Sequence, residues 1–248
     1  MKHLIKFFFI ILFISSCSNE NEGVISEKGM VVSAREEASK IGVEILKKGG
    51  NAFDAMMATE LALAVSYPSA GNIGGGGFMV FRKSDGTTGA LDYRERAPIS
   101  STRDMYLDED GNIIEGLSMI GGLSVGVPGT IAGIFEAHEK HGSLPISEIF
   151  TPVIELAENG IRVTSNQKDR INENRKYFKL ANKSHKKFDK DFQINEIIKF
   201  PELASTLKRI MLNGKDEFYN GETAVKLIDF IQQNGGIITL EDLKIYKP

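Results

Sequence analysis

Apolar residues recur at helical spacing in the first part of the chain and predict two successive helices. The first ends at Gly49-Gly50, and Asn51 is placed to cap the second, which runs from Ala52 to Ser66. Because the second helix is apolar on nearly every side, we expect it in the interior of the fold. The apolar positions of the first helix are Ala38, Ile41, Ile45 and Leu46.

Three short segments predict strands, and most of the remaining chain predicts helices. Met30 to Ala34 is the first strand, and Phe78 to Arg82 with Gly89 to Arg94 form a hairpin through Asp85-Gly86. The basic segment Lys168 to Lys190 predicts a solvated helix and loop, with a basic docking surface as the alternative. Further helices are predicted over Thr130 to His141, from Thr151-Pro152 to Gly160, over Pro201 to Leu212 and Glu222 to Gln233, and from Thr239, where Asp242 completes a capping box.

Four consecutive glycines, Gly74, Gly75, Gly76 and Gly77, interrupt this pattern between the interior helix and the hairpin. A glycine loses more backbone freedom on folding than any other residue, so such a run is costly to stability. It is tolerated where the main chain bends unusually or where another group comes very close. A phosphate cradle is disfavoured, because a dinucleotide-binding loop follows a strand and precedes a helix, the reverse of the order here. We therefore expect these glycines to support a loop at a substrate site.

Arg94 is the candidate substrate-binding residue. Its guanidinium offers a rigid fork of donors that matches a carboxylate, and it is predicted on a strand beside the glycine run. The alternative interpretation is a salt bridge to Asp92 or Glu95. Arg96 lies on the same side of the strand but is the weaker candidate, because Ala97-Pro98 ends the strand.

Other groups of reactive side chains are incomplete. His138 and His141 flank Glu139, but zinc would need a third ligand and the H-E-x-x-H spacing is absent. We therefore expect His138 on the core side or flank of its helix and predict no metal site. The sequence also contains no G-x-S-x-G nucleophile elbow.

The first sixteen residues predict an export signal. Lys2 and Lys6 supply its positive charge, and the apolar run from Phe7 to Ile14 is too short to span a bilayer. Cys17, the only cysteine, follows directly, and Ile14-Ser-Ser-Cys17 resembles the bacterial lipobox, in which the cysteine is acylated. The alternative is an ordinary signal peptide with a chance cysteine.

The expected organisation is therefore a lipoprotein signal peptide at 1–16, an acylated cysteine with a polar tether at 17–27, and one domain over 28–248. Such a protein would be exported and held by its lipid at the periplasmic face of a bacterial membrane, with the outer membrane or cell surface as alternatives. Without the signal, 28 basic residues face 33 acidic ones, a net charge of −5. This mild acidity argues against a nucleic-acid partner.

Six segments, taken as an ordered set, resemble the γ-glutamyltransferase family, and the similarity runs from about Met30 to Pro248. The resemblance implies an α+β fold, here an incomplete part of the four-layer αββα sandwich of N-terminal-nucleophile hydrolases. It also implies a precursor that cuts itself, so that the new terminal threonine attacks γ-glutamyl amides with its own amine as base. Arg94 matches the family arginine that binds the glutamate α-carboxylate. The segments are 49–55 (GGNAFDA), 68–78 (PSAGNIGGGGF), 92–98 (DYRERAP), 127–130 (VPGT), 155–160 (ELAENG) and 234–243 (NGGIITLEDL).

The resemblance covers only the first part of the family's large subunit. The resemblance implies a Thr-Thr-His-type cleavage site, and Thr87-Thr88 does not provide it, because Gly89 follows in a hairpin turn. We therefore expect the threonine nucleophile and the small subunit that carries it to lie outside this chain. No catalytic residue is expected within it. The expected reaction of the complete enzyme is γ-glutamyl transfer or hydrolysis on glutathione and related amides, with no metal or organic cofactor. This chain alone is expected to be inactive. The alternatives are an acylase acting on a glutaryl-type amide and a non-catalytic binding lipoprotein.

Overall fold

The computed structural model describes residues 23–181 and 187–248. The chain separates into two compact units, Met1–Met30 and Val31–Pro248. In the described part of the first unit, residues 23–30 contain no helix or strand, and the Ser26 hydroxyl donates to the Gly29 carbonyl (2.7 Å). The helices and strands of the described residues all lie in the second unit.

The second unit is built from helices and two short antiparallel sheets, which confirms the predicted α+β class. Its strands are β1 (Phe78–Arg82), β2 (Thr88–Asp92), β3 (Ile161–Arg162) and β4 (Ile197–Ile198). Its helices are α1 (Glu36–Lys47), α2 (Ala52–Ser66), α3 (Thr130–His141), α4 (Ile146–Asn159), α5 (Ser165–Ala181), α6 (Pro201–Asn213), α7 (Lys215–Tyr219), α8 (Glu222–Gln233) and α9 (Leu240–Lys244), with a 3-10 turn at Gly122–Ser124.

Helix α2 is the centre of the core, as its all-round apolar sequence predicts. It packs against α1, α3 and α4, and Met57 and Leu61 are fully buried. Its start is a capping box: the Asn51 side chain accepts from the Asp54 N–H (3.2 Å), and the Asp54 carboxylate accepts from the Asn51 N–H (2.8 Å). Sequence and packing therefore agree on both ends of this helix.

The hairpin of β1 and β2 is confirmed, with Phe78 opposite Asp92, but its second strand is shorter than expected. β2 ends at Asp92, so Arg94 lies two residues beyond it. Tyr93 and Gly77 still exchange two backbone hydrogen bonds (3.0 and 3.3 Å). The pairing between the two strands therefore stops just before Arg94.

The strand predicted at Met30 to Ala34 is wrong. A strand needs a neighbour for its backbone donors and acceptors, and none pairs with this segment within residues 23–181 and 187–248. The side chain of Val32 accordingly stays 83% exposed.

The predicted start of α4 is also wrong, because the helix begins at Ile146 and contains Pro152 in its interior. An interior proline costs about 3 kcal/mol. Burial of one large apolar side chain returns about 1.5–3 kcal/mol, and Ile149, Phe150 and Val153 are all fully buried. Packing of the helix face therefore outweighs the local signal of the proline.

The remaining predicted helices are confirmed at α3, α6, α8 and α9, and α9 begins with the expected capping box of Thr239 and Asp242. Helix α5 contains no buried residue, as expected for the solvated basic segment. Helix α7 and the β3–β4 pair, in which Ile161 lies opposite Ile198, were not predicted because they are too short to show a periodicity.

Candidate functional site

Arg94 has a backbone that is held on both sides and a side chain that is exposed. Its N–H donates to the Asp92 carboxylate (2.9 Å), and its carbonyl accepts from the Tyr246 hydroxyl (2.8 Å). The guanidinium carbon lies 5.8 Å from the centre of the Phe78 ring. The residue is therefore anchored through its main chain, while its charged group stays accessible to a ligand.

The guanidinium of Arg94 has no acidic partner in the part of the chain that the structure describes. No carboxylate there lies within the 4.0 Å of a salt bridge, so the alternative pairing with Asp92 or Glu95 is not formed. The nitrogen donors of the side chain remain available. Its role as the ligand of a substrate carboxylate stays a prediction.

Two glycines of the run, Gly76 and Gly77, are required for close approach. An added Cβ at Gly76 would lie 2.6 Å from the Tyr93 carbonyl oxygen and 2.9 Å from the carbonyl carbon of Arg94. At Gly77 it would lie 2.7 Å from the Tyr93 ring. None of the four glycines has a positive φ. The structure therefore brings the glycine run and Arg94 together, with the backbone segments in direct contact.

Gly75 ties this loop to the start of α3. Its carbonyl accepts from the N–H groups of Gly129 (2.6 Å) and Thr130 (3.0 Å). Its own N–H donates to the Asn72 side chain (2.6 Å), which also accepts from the Thr130 hydroxyl (2.9 Å). Gly74 differs from its neighbours, because nothing lies within 4 Å of an added Cβ there. The loop is thus fixed on one side and open on the other.

The side chain of Tyr93 fills the space that two glycines leave. Its ring is 4% exposed, and an added Cβ at Gly77 or Gly133 would contact it. Burial raises the pKa of Tyr93 to about 12, and the nearby carboxylate of Glu60 adds to the rise. The phenol therefore stays neutral at physiological pH, and the buried ring packs next to Arg94.

A pair of stacked tyrosines supports the same region. The rings of Tyr246 and Tyr219 lie 5.9 Å apart and nearly parallel, and the Tyr219 hydroxyl donates to the Pro128 carbonyl (3.0 Å). Arg96 lies over the Tyr246 ring at 5.3 Å, and its backbone pairs with Val127. Sequence reasoning missed both tyrosines, since neither shares a local motif with Arg94. Arg96 serves this packing and remains the weaker ligand candidate.

Most of the chain, including Arg94 and the glycine run, matches a known protein family. Residues 38–248 match the family model for gamma-glutamyltranspeptidase. The chain belongs to the γ-glutamyltranspeptidase family.

Relatives of this chain confirm the resemblance and the fold class. The glutathione hydrolase proenzyme of Pseudomonas sp. (strain A14) is 47% identical over 226 residues, 90% of this chain and 39% of the relative. The solved γ-glutamyltranspeptidase of Helicobacter pylori has a TM-score of 0.88 and 41% identity, covering 91% of this chain and 66% of that one. The enzyme of Pseudomonas nitroreducens complexed with L-DON has a TM-score of 0.83 and 45% identity, with 90% and 66% covered. The chain thus spans 39% of the length of that curated relative.

His138, on α3, contacts the groups around the start of α2. Nε2 of His138 lies 2.9 Å from the Leu144 carbonyl and 3.4 Å from the buried Asp54 carboxylate. Burial opposes the charge of Asp54, but hydrogen bonds from Ser143, Asn51 and the Leu144 N–H outweigh it and lower the pKa of that carboxyl. Within residues 23–181 and 187–248 no three His, Cys, Asp or Glu side chains are grouped to hold a metal ion.

The predicted signal peptide and Cys17 lie outside the described residues, as does most of the predicted tether. Among the described residues, no helix is long and apolar enough to cross a membrane. Export, lipidation and the domain boundary at residue 28 therefore remain predictions from the sequence.

Proposed function

We propose that this chain supplies the carboxylate-binding part of a γ-glutamyltransferase that also hydrolyses glutathione. The observation that carries the proposal is the exposed Arg94 guanidinium, which has no acidic partner among the described residues and stands on a fixed backbone. Membership of the γ-glutamyltranspeptidase family supports the reaction class.

The ligand of Arg94 is the α-carboxylate of a γ-glutamyl donor such as glutathione. Two parallel N–H···O bonds from one guanidinium fix both the charge and the orientation of a carboxylate. Holding that end of the glutamyl group aims the amide at its other end towards the nucleophile. The nucleophile is a threonine from polypeptide outside this chain, and the glutamyl group passes from it to water or to an amine acceptor.

A glutaryl amide is the competing substrate class, because its free carboxylate lies at the same distance from the amide. It lacks only the α-amine of the glutamyl group, so Arg94 would bind both acids. The name of the curated relative, glutathione hydrolase proenzyme, favours the glutamyl donor. Parallel kinetics on γ-glutamyl and glutaryl anilides separate the two classes.

The test is the substitution Arg94→Ala in the full-length enzyme that the gene encodes. Loss of a charged, bidentate contact should raise KM for glutathione about ten-fold or more, with a smaller change in kcat. The matched control is Arg82→Ala, which removes another exposed arginine from the same hairpin and should leave KM unchanged. An unchanged KM in Arg94→Ala, or an equal rise in Arg82→Ala, would refute the carboxylate role. Residues 1–248 alone are expected to release no glutamate.

The second part of the proposal is attachment to a membrane by an acylated Cys17. The experiment expresses the natural protein and a Cys17→Ser variant and follows both by detergent phase partition and by mass spectrometry of the N-terminal peptide. A lipid mass on Cys17 and a shift of the variant to the aqueous phase are expected. An unmodified cysteine in the natural protein would refute the anchor.

A further inference from the structure

A second concave surface lies away from the Arg94 loop, between the end of α2, helix α5 and the β3–β4 pair. It encloses a cavity of about 420 Å³, within the range of small-molecule sites. The floor is apolar and buried, with Ile161, Ile198 and Phe200 exposed by 8% or less. The proposed γ-glutamyl chemistry makes no use of this cavity.

The cavity is a formed feature, because hydrogen bonds fix two of its walls against each other. The Gln167 side chain of α5 donates to the Ser66 carbonyl at the end of α2 (3.0 Å) and accepts from the Thr164 N–H (3.1 Å). The ring of Phe178 on α5 lies 5.4 Å from that of Phe188, and both line the cavity. The aromatic wall and the α2 end are thereby held in place.

Arg170 lines the same cavity, and no acid among the described residues neutralises its charge. One of its terminal nitrogens donates to the hydroxyls of Tyr67 and Ser69, each at 3.2 Å. These two partners are neutral, and no carboxylate in the described parts of the chain lies within salt-bridge distance of the guanidinium. The internal positions outside those parts, 182–186, have the sequence NKSHK and contain no acid. The hydroxyls orient the guanidinium, and its other nitrogen donors remain available.

An apolar, partly aromatic cavity with one oriented cation is complementary to an amphipathic anion. The rings and aliphatic side chains favour a hydrocarbon or aryl body, and the guanidinium favours a planar carboxylate. We propose that this cavity is a binding site for a small carboxylic acid with an apolar tail, distinct from the γ-glutamyl donor. The carboxylate is bound by Arg170, and the tail lies against Phe178, Phe188 and Phe200.

Calorimetric titration of the protein, in the longest form that the gene encodes, tests this site with two probes. Decanoate carries the charge and the tail, while decanol carries the same tail without the charge. Saturable binding of decanoate below its micelle concentration is expected, with weaker binding of decanol. Arg170→Gln should weaken decanoate binding about ten-fold or more and change decanol binding little, because only the charged contact is removed.

The matched control is Arg162→Gln, which removes an exposed arginine of β3 that does not line the cavity. It should leave both affinities unchanged, and a thermal melt of each variant verifies that it is folded. Three results would overturn the proposal: no saturable decanoate binding, as expected if another part of the protein fills the cavity; equal binding of decanoate and decanol; or an equal loss in Arg162→Gln. Because these are binding measurements, they are independent of the outcome for Arg94.

Discussion

Replacing Gly76 with alanine tests whether a glycine is needed there for the close contact with the backbone of residues 93–95. The new Cβ would lie 2.6 Å from both the Glu95 nitrogen and the Tyr93 carbonyl oxygen. These are main-chain atoms, and the Tyr93 carbonyl also accepts the hydrogen bond from Gly77. The neighbours can therefore yield only by disrupting the hairpin pairing just before Arg94.

The expected cost follows from two opposing contributions. Overpacking by one methyl group costs about 1–3 kcal/mol, and the backbone contact places this site in the upper half of that range. Alanine also lowers the conformational entropy of the unfolded chain, which stabilises the folded state by about 0.4–1 kcal/mol. The net loss is then about 1–2.6 kcal/mol. For a chain of this size it should lower Tm by about 2–10 °C.

Gly74→Ala is the matched control, because nothing lies within 4 Å of its added Cβ and its φ is not positive. That variant keeps only the favourable contribution, so its stability should be unchanged or higher by up to about 1 kcal/mol. Both variants are compared by urea and thermal unfolding followed by circular dichroism. Equal stability of Gly76→Ala and Gly74→Ala would show that Gly76 is not needed for close approach.

Two other predictions concern contacts that hold the site and the core. Tyr246→Phe deletes the donor to the Arg94 carbonyl and should cost about 0.5–1.5 kcal/mol in urea unfolding; an unchanged midpoint would show that this bond contributes nothing. Asp54→Asn should cost about 1–3 kcal/mol at pH 7, because the carboxylate accepts from Asn51, Ser143 and Leu144. Since the folded pKa of Asp54 is lowered, its contribution is present above the ordinary value of 3.8 and is lost as pH falls through the folded pKa. The stability difference between the natural protein and Asp54→Asn should therefore shrink below about pH 4, and a constant difference from pH 7 to 3 would contradict this.

Local sequence signals located most of the helices and the hairpin, because their causes are local. Asn51 and Asp54 cap α2 within one turn, and the apolar stretch that follows allows only a buried helix. Arg94 beside the glycine run could be found for the same reason: both lie within one continuous stretch of sequence around the hairpin.

The errors arose where distant contacts decide the structure. Pro152 is a strong local signal for a helix start, yet the burial of Phe150 and its neighbours places it inside α4. Whether Met30 to Ala34 has a neighbouring strand cannot be deduced from the segment itself. In the described residues no strand pairs with it. Periodicity reports which face of an element is apolar, but it does not report which element covers that face.

The support of Arg94 illustrates how a short motif depends on the rest of the domain. Its carbonyl is held by Tyr246, which is 152 positions away along the chain and is stacked on Tyr219. Tyr219 in turn accepts from the Ala132 N–H of α3 (3.1 Å), and the start of α3 donates to the carbonyl of Gly75. Each step is a contact of ordinary strength, but together they close a ring through α3, α7 and the C-terminal segment back to the glycine loop. The position of the guanidinium is therefore fixed by tertiary packing, although the residue itself can be recognised from its immediate sequence.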